Sequence, residues 1–160
     1  MERVNAILKS SRYQEHIEKI KQAEEGRIFC LHNMSHFLDV ARIAALLNEE
    51  ERLGISKELI YATALLHDIG RHVQYADKTP HENASAILAP KILDEAGFEK
   101  WEQEEILHAI REHRNEQIKN QKSLAGIIYR ADKASRACFA CDANPLCDWK
   151  MEKKNLEIRY

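Results

Sequence analysis

The chain has 160 residues, with 24 basic and 26 acidic side chains and a formal charge of −2. That balance excludes the bulk basic excess of a nucleic-acid-binding surface, and no window approaches the roughly 18 apolar residues of a membrane span. At 44% hydrophobic and 31% charged residues, the composition fits one soluble globular domain with a sizeable core.

Glycine (5) and proline (3) are scarce, which favours long helices over many short strands. Residues 2–24 read as helical with a weak point at Ser10-Ser11, and Ile17, Ile20 and Ala23 share a face. A connector, 25–31, follows. A long helix is predicted over 33–53, where Phe37, Val40, Ala41, Ala44 and Leu47 recur at helical spacing. Ser56 is placed to cap a third helix, 57–68, whose nearly all-round apolar surface predicts a central position in a bundle.

Residues 70–79 are polar and are expected to be irregular. Thr79, Pro80 and Glu82 form a capping-box pattern for a helix that ends at Gly97, with Ile87, Leu88, Ile92 and Leu93 inward and a kink or break at Pro90. Further helices are predicted over 100–113 and 124–140, the latter capped by Ser123. Residues 150–160 are expected to pack loosely or form a short last helix. The sum is an all-α, single-domain bundle of six or seven helices.

The chemistry gathers around His67-Asp68, at the end of the central helix. Neighbouring side chains on a helix diverge by roughly 100°, so one partner seldom serves both, whereas a divalent metal accepts imidazole and carboxylate together. A two-residue motif is weak, and a packed core histidine is the competing reading. The chain holds eight histidines. His36 lies among core residues of the long helix, His81 opens a helix and His113 closes one. Asp132 sits among Ile127, Ile128, Ala131 and Ala134, where an unpaired carboxylate would be costly to bury.

The order His36, His67-Asp68, Asp132 resembles the defining pattern of the HD-domain superfamily of metal-dependent phosphohydrolases, over roughly residues 32–136. The local context is similar too. Val-Ala-Arg-Ile follows the first histidine, and Ala-Leu-Leu precedes the doublet. The resemblance implies a helical HD-like domain spanning 1–160, with 137–160 as a cysteine-containing extension. It implies His36, His67, Asp68 and Asp132 as ligands of one divalent ion (Mn, Fe, Mg, Co or Ni). His81 and His113 are then candidates for a second metal or for phosphate contact. His32 and His72 are candidates for support of the ligands, and His108 lies off the site face.

The implied reaction is hydrolysis of a phosphate ester or phosphoanhydride, of a nucleotide or related metabolite, by metal-activated water. His67, Asp68 and Arg71 would be the catalytic residues, Arg71 holding phosphate, with Lys78, Arg114 and Lys133 as further cations. The expected partner is a phosphorylated small molecule, with neither membrane nor nucleic acid, in a cytoplasmic protein that is a candidate homodimer. A regulatory or sensor module and a di-iron oxygenase are the alternative functions.

In a reducing compartment the four cysteines are expected to be free or metal-bound. Cys30 stands six residues before His36, and Cys138 six residues after Asp132, followed by Cys141 and Cys147. If His36 and Asp132 meet on antiparallel helices, Cys30 joins the other three. Four thiolates would suit zinc or an iron–sulfur cluster. Reduced thiols and transient disulfides are the alternatives.

Overall fold

A computed structural model describes residues 1–160 as an all-helical bundle without strands. Its helices are α1 (Glu2–Lys9), α2 (Ser11–Ala23), α3 (Met34–Glu50), α4 (Lys57–Leu66), α5 (Arg71–Asp77), α6 (His81–Glu95), α7 (Lys100–Glu112) and α8 (Leu124–Ala134). Single 3₁₀ turns follow at Cys138–Ala140, Asn144–Leu146 and Met151–Lys153. No helix is long and apolar enough to cross a membrane.

The central position predicted for α4 is observed. Leu59, Ile60, Ala62, Thr63, Ala64, Leu65 and Leu66 are all buried, and α3, α7 and α8 pack around the helix. Thr63 fits this apolar setting because its hydroxyl donates to the Leu59 carbonyl at 2.7 Å. The starts of the two flanking helices are set by side-chain caps. Asn33 accepts from the His36 amide at 3.2 Å, and Ser123 accepts from Gly126 at 3.3 Å. One cap therefore fixes the entry of the helix that carries His36, the other that of the helix that carries Asp132.

Several expectations are corrected. Residues 71–77 are helical rather than irregular. This helix has no buried residue of its own and is held by polar contacts: His72 stacks on His16 of α2, and Tyr75 donates to Glu24 at 2.6 Å. Its polar sequence carries no core periodicity, so the hydrophobic pattern does not report it. The capping box at Thr79–Glu82 does not form. Pro80 precedes the helix, and the reciprocal cap occurs at α7, where Glu99 N donates to Glu102 at 2.9 Å. Pro90 lies inside an unbroken α6, whose Ile87 points outward at 74% exposure. α8 stops at Ala134 instead of reaching 140. Asn155 explains the stop: its amide donates to the carbonyls of Lys133 (2.6 Å), Ala134 (3.3 Å) and Arg136 (3.0 Å), satisfying the helix end and docking the tail.

Two contacts outside the centre lock the frame. Glu58 on α4 accepts from the N-terminal ammonium (2.8 Å) and from Arg3 (2.7 Å), and Arg3 continues to Glu102 on α7 (2.5 Å). The turn after α4 meets the start of α6 at Gly70, whose amide donates to Ser85 Oγ at 2.9 Å. A Cβ at Gly70 would lie 2.5 Å from Ser85 N and 2.7 Å from the His81 carbonyl, so no side chain fits there.

Gly70→Ala is therefore expected to cost about 1–3 kcal/mol by overpacking. At about 2–4 °C per kcal/mol for a chain of this size, thermal melting should show a drop of several degrees. Glu58 gives a second expectation. The N-terminal ammonium, and then Arg3, hold its carboxyl down at about 2. A depressed carboxyl stabilises the fold above its ordinary value near 4.5 and loses that contribution as pH falls toward 2. Denaturation measured across this window should be less steep in pH for Glu58→Gln than for the wild type.

Candidate metal centre

Asp68 is the pivot. It follows the end of α4, is 1% exposed, and directs its two oxygens at two separate groups of side chains. On one side, Asp68 Oδ2 lies 3.3 Å from His67 Nε2 and 3.6 Å from His36 Nε2. Asp132 Oδ1 lies 3.6 Å from His36 Nε2 and 4.0 Å from His67 Nε2. On the other side, Asp68 Oδ1 lies 3.0 Å from His81 Nε2, 3.6 Å from His113 Nε2 and 3.2 Å from Arg71 Nε. The Nε2 atoms of His81 and His113 are 3.1 Å apart.

The far nitrogen of each histidine decides what its Nε2 can do. His67 and His113 end helices α4 and α7, and each donates Nδ1–H to the carbonyl three residues back: Ala64 at 2.7 Å and Ile110 at 2.6 Å. His81 Nδ1 faces the Gln74 carbonyl oxygen at 2.5 Å. His36 Nδ1 faces Ser135 Oγ at 3.2 Å. With Nδ1 protonated, Nε2 presents a lone pair. Lone pairs of His81 and His113 then face one another and an ionised Asp68 oxygen, an arrangement that a shared proton or a bound cation relieves.

Of eight buried side-chain polar atoms without a hydrogen-bond partner, four are His36 Nε2, His67 Nε2, Asp68 Oδ2 and Asp132 Oδ1. These are one atom from each side chain of the His36, His67-Asp68, Asp132 pattern. Buried groups are rarely left unpaired, and ligands at about 2.1 Å from one ion stand roughly 3–3.5 Å apart, close to the separations here. The donor set of imidazole and carboxylate suits a divalent first-row cation. The His36, His67 and Asp132 group and the Asp68, His81 and His113 group each converge closely enough to hold an ion.

Electrostatics favour ionised carboxylates. Burial opposes the charge on Asp68, but His67, Arg71 and His32 outweigh it and hold the carboxyl well below the usual range. Burial likewise opposes Asp132, and Lys133 and Arg136 outweigh it. Lys133 Nζ sits 2.5 Å from Asp132 Oδ2. Burial pushes His67 down, yet Asp68 beside it wins and raises it. For His81 burial dominates, and its value falls to about 4.

His32, a candidate for support of the ligands, lies at the centre. Its Nδ1 pairs with Glu24, and its Nε2 points at Asp68 Oδ2 from 3.7 Å. Glu24 also accepts from Tyr75 at 2.6 Å. Glu24, Gln74, Tyr75 and Ser135 were not identifiable from the sequence. Gln74 and Tyr75 lie on α5, which the hydrophobic pattern does not reveal, and Glu24 looks like any solvated helix end. Arg136, 3.6 Å from Asp132 Oδ1, is four residues beyond it and could have been found from helical spacing alone. Arg71 and Lys133 adjoin the centre, the first at Asp68 and the second at Asp132. Lys78 is exposed at the end of α5, Arg114 turns to Glu82 at 3.5 Å, and His108 is exposed. His72 faces away from the centre and pairs with His16 at 3.0 Å.

The HD-domain family model matches residues 33–137. A protein described as uncharacterized from Clostridium beijerinckii is 46% identical over 160 residues, covering all of both chains. Ribonuclease Y of Oleidesulfovibrio alaskensis is 29% identical over 121 residues, 76% of this chain and 21% of that protein. Ribonuclease Y of Lawsonia intracellularis is 32% identical over 104 residues, 65% of this chain and 18% of that protein. The chain thus spans about a fifth of the length of these ribonucleases. No solved structure matches it.

An imidazole binds an ion only through an unprotonated nitrogen, and Asp68 raises the proton affinity of the His67 ring, so protons compete with an ion there. Calorimetric titration with Mn²⁺ in two buffers of different ionisation enthalpy should therefore show proton release, with affinity falling as pH is lowered. Heats independent of buffer would contradict this placement of His67.

Proposed function

Because the chain belongs to the HD-domain family, we propose that it is a metal-dependent phosphohydrolase acting on a phosphate ester or anhydride of a nucleotide or a related small metabolite. The observation that carries this reading is Asp68, a buried carboxylate whose two oxygens face two histidine groups, with a guanidinium on the oxygen that faces His81 and His113. His36, His67, Asp68 and Asp132 would hold one divalent ion. Asp68, His81 and His113 would hold a second, with His32 beside the shared carboxylate. Divalent ions bound there acidify water and offset charge developing on a phosphoryl group.

The chain's own residues do the rest. Arg71 spends Nε on Asp68, which leaves its two terminal nitrogens for non-reacting phosphate oxygens. Lys133, 35% exposed and anchored on Asp132, adds a second positive charge at the mouth of the centre. Ala64, Ile110 and Gln74 orient His67, His113 and His81, so the centre reacts with little reorganisation. This cationic rim favours a phosphoryl substrate over an uncharged one.

The kinship with ribonuclease Y supports phosphodiester bonds as one substrate class, while the net charge of −2 argues for a small nucleotide rather than a long polymer. Purified protein supplied with Mn²⁺, Mg²⁺, Co²⁺ or Fe²⁺ is expected to hydrolyse members of a panel of aryl phosphates, aryl phosphodiesters, nucleotides and dinucleotides. Asp68→Ala should lose at least about 100-fold in kcat/KM, the upper range for removing a ligand's mere support. Arg71→Ala should act mainly by raising KM. Undiminished turnover in Asp68→Ala would refute the assignment.

A further inference from the structure

A second, separate constellation lies on the far side of His36. Cys30, from the connector before α3, and Cys138, Cys141 and Cys147, from the turns after α8, line a single cavity of about 210 Å³ with His36 and Arg136. All four thiols are free, and three of them are only partly exposed. Residues more than a hundred positions apart are thus brought to one void, although the chain offers no other cysteine.

The spacing around the void discriminates between occupants. Four thiolates on one zinc ion, at Zn–S of about 2.3 Å in a tetrahedron, stand roughly 3.8 Å apart. The side chains that converge within 4.8 Å, as the ligands of one ion do, are the two histidine–aspartate groups, and no cysteine belongs to either. A cuboidal iron–sulfur cluster binds each thiolate to a different iron at its corners, so its four sulfurs surround a volume rather than a point. The lining carries one carboxylate, Asp39, and one guanidinium, Arg136, and two further cations brace the cysteine-bearing turns. Arg136 borders the cavity, Arg27 donates to the Cys30 carbonyl at 3.1 Å, and Lys154 donates to the Cys147 carbonyl at 3.2 Å. The turns that carry the cysteines are pinned independently: Phe139 N donates to Asn155 O at 2.9 Å, and Arg136 stacks on Trp149 at 4.2 Å.

We propose that Cys30, Cys138, Cys141 and Cys147 bind an iron–sulfur cluster that staples the C-terminal extension to the connector before α3. The cluster abuts the histidine–aspartate centre without sharing a ligand with it. Ser135 and Arg136 stand between the two, the first on His36 and the second near Asp132.

The test uses the full chain purified without oxygen, with iron and acid-labile sulfide measured together. Sulfide separates this site from iron held at the histidines. Wild-type protein, as isolated or after reconstitution with ferric iron, sulfide and thiol reductant, should carry about four sulfides per chain. It should also show broad visible charge-transfer absorption. Cys30→Ala and Cys147→Ala should each lose both, while Asp68→Asn keeps them. A readout free of variants guards against misfolding: native alkylation should spare all four thiols until an iron chelator is added. Absence of sulfide after reconstitution, one zinc without sulfide, or a Cys30→Ala protein that retains its full sulfide would each overturn the proposal.

Discussion

A fully buried carboxylate facing several imidazole lone pairs is the constraint on which this structure turns. Asp68 is surrounded by His67, His32, His36, His81 and His113, with the permanent charge of Arg71 at 3.2 Å. Burial alone would drive such a group to protonate. The surrounding charges keep it ionised, and the unpaired nitrogens around it are placed where a divalent ion could satisfy them. The apolar α4 serves the same end, because only a helix buried on nearly every side can deliver its C-terminus to the middle of a bundle.

One local device recurs. A histidine that closes a helix finds an unpaired carbonyl three residues back, and binding it through Nδ1 leaves Nε2 aimed away from the helix axis. His67 and His113 both use it, on helices that pack against each other. Free helix-end carbonyls therefore become the supports that orient metal ligands. The same economy appears at α8, whose last carbonyls hold the extension through Asn155.

Legibility in the sequence followed the physics of each element. The helices that bury an apolar stripe were readable from periodicity, as were the histidines and aspartates seated in those stripes, because polar groups there demand a partner. Helix α5 was not, since its contacts are polar and specific: His72 on His16, Tyr75 on Glu24, Gln74 on His81. His32 was a candidate for support from its place near His36, but the partner that orients it, Glu24, is indistinguishable in sequence from its solvated neighbours. Pro90 misled in the other direction, since α6 runs through it without a break.

In the arrangement we propose, one carboxylate, Asp68, is shared by two ions. Electron paramagnetic resonance of protein loaded with two equivalents of Mn²⁺ tests it directly. Bridging through Asp68 predicts an exchange-coupled pair, replaced in the His81→Ala His113→Ala double variant by the spectrum of a single uncoupled ion. A single-ion spectrum in the wild type at saturating Mn²⁺ would contradict it.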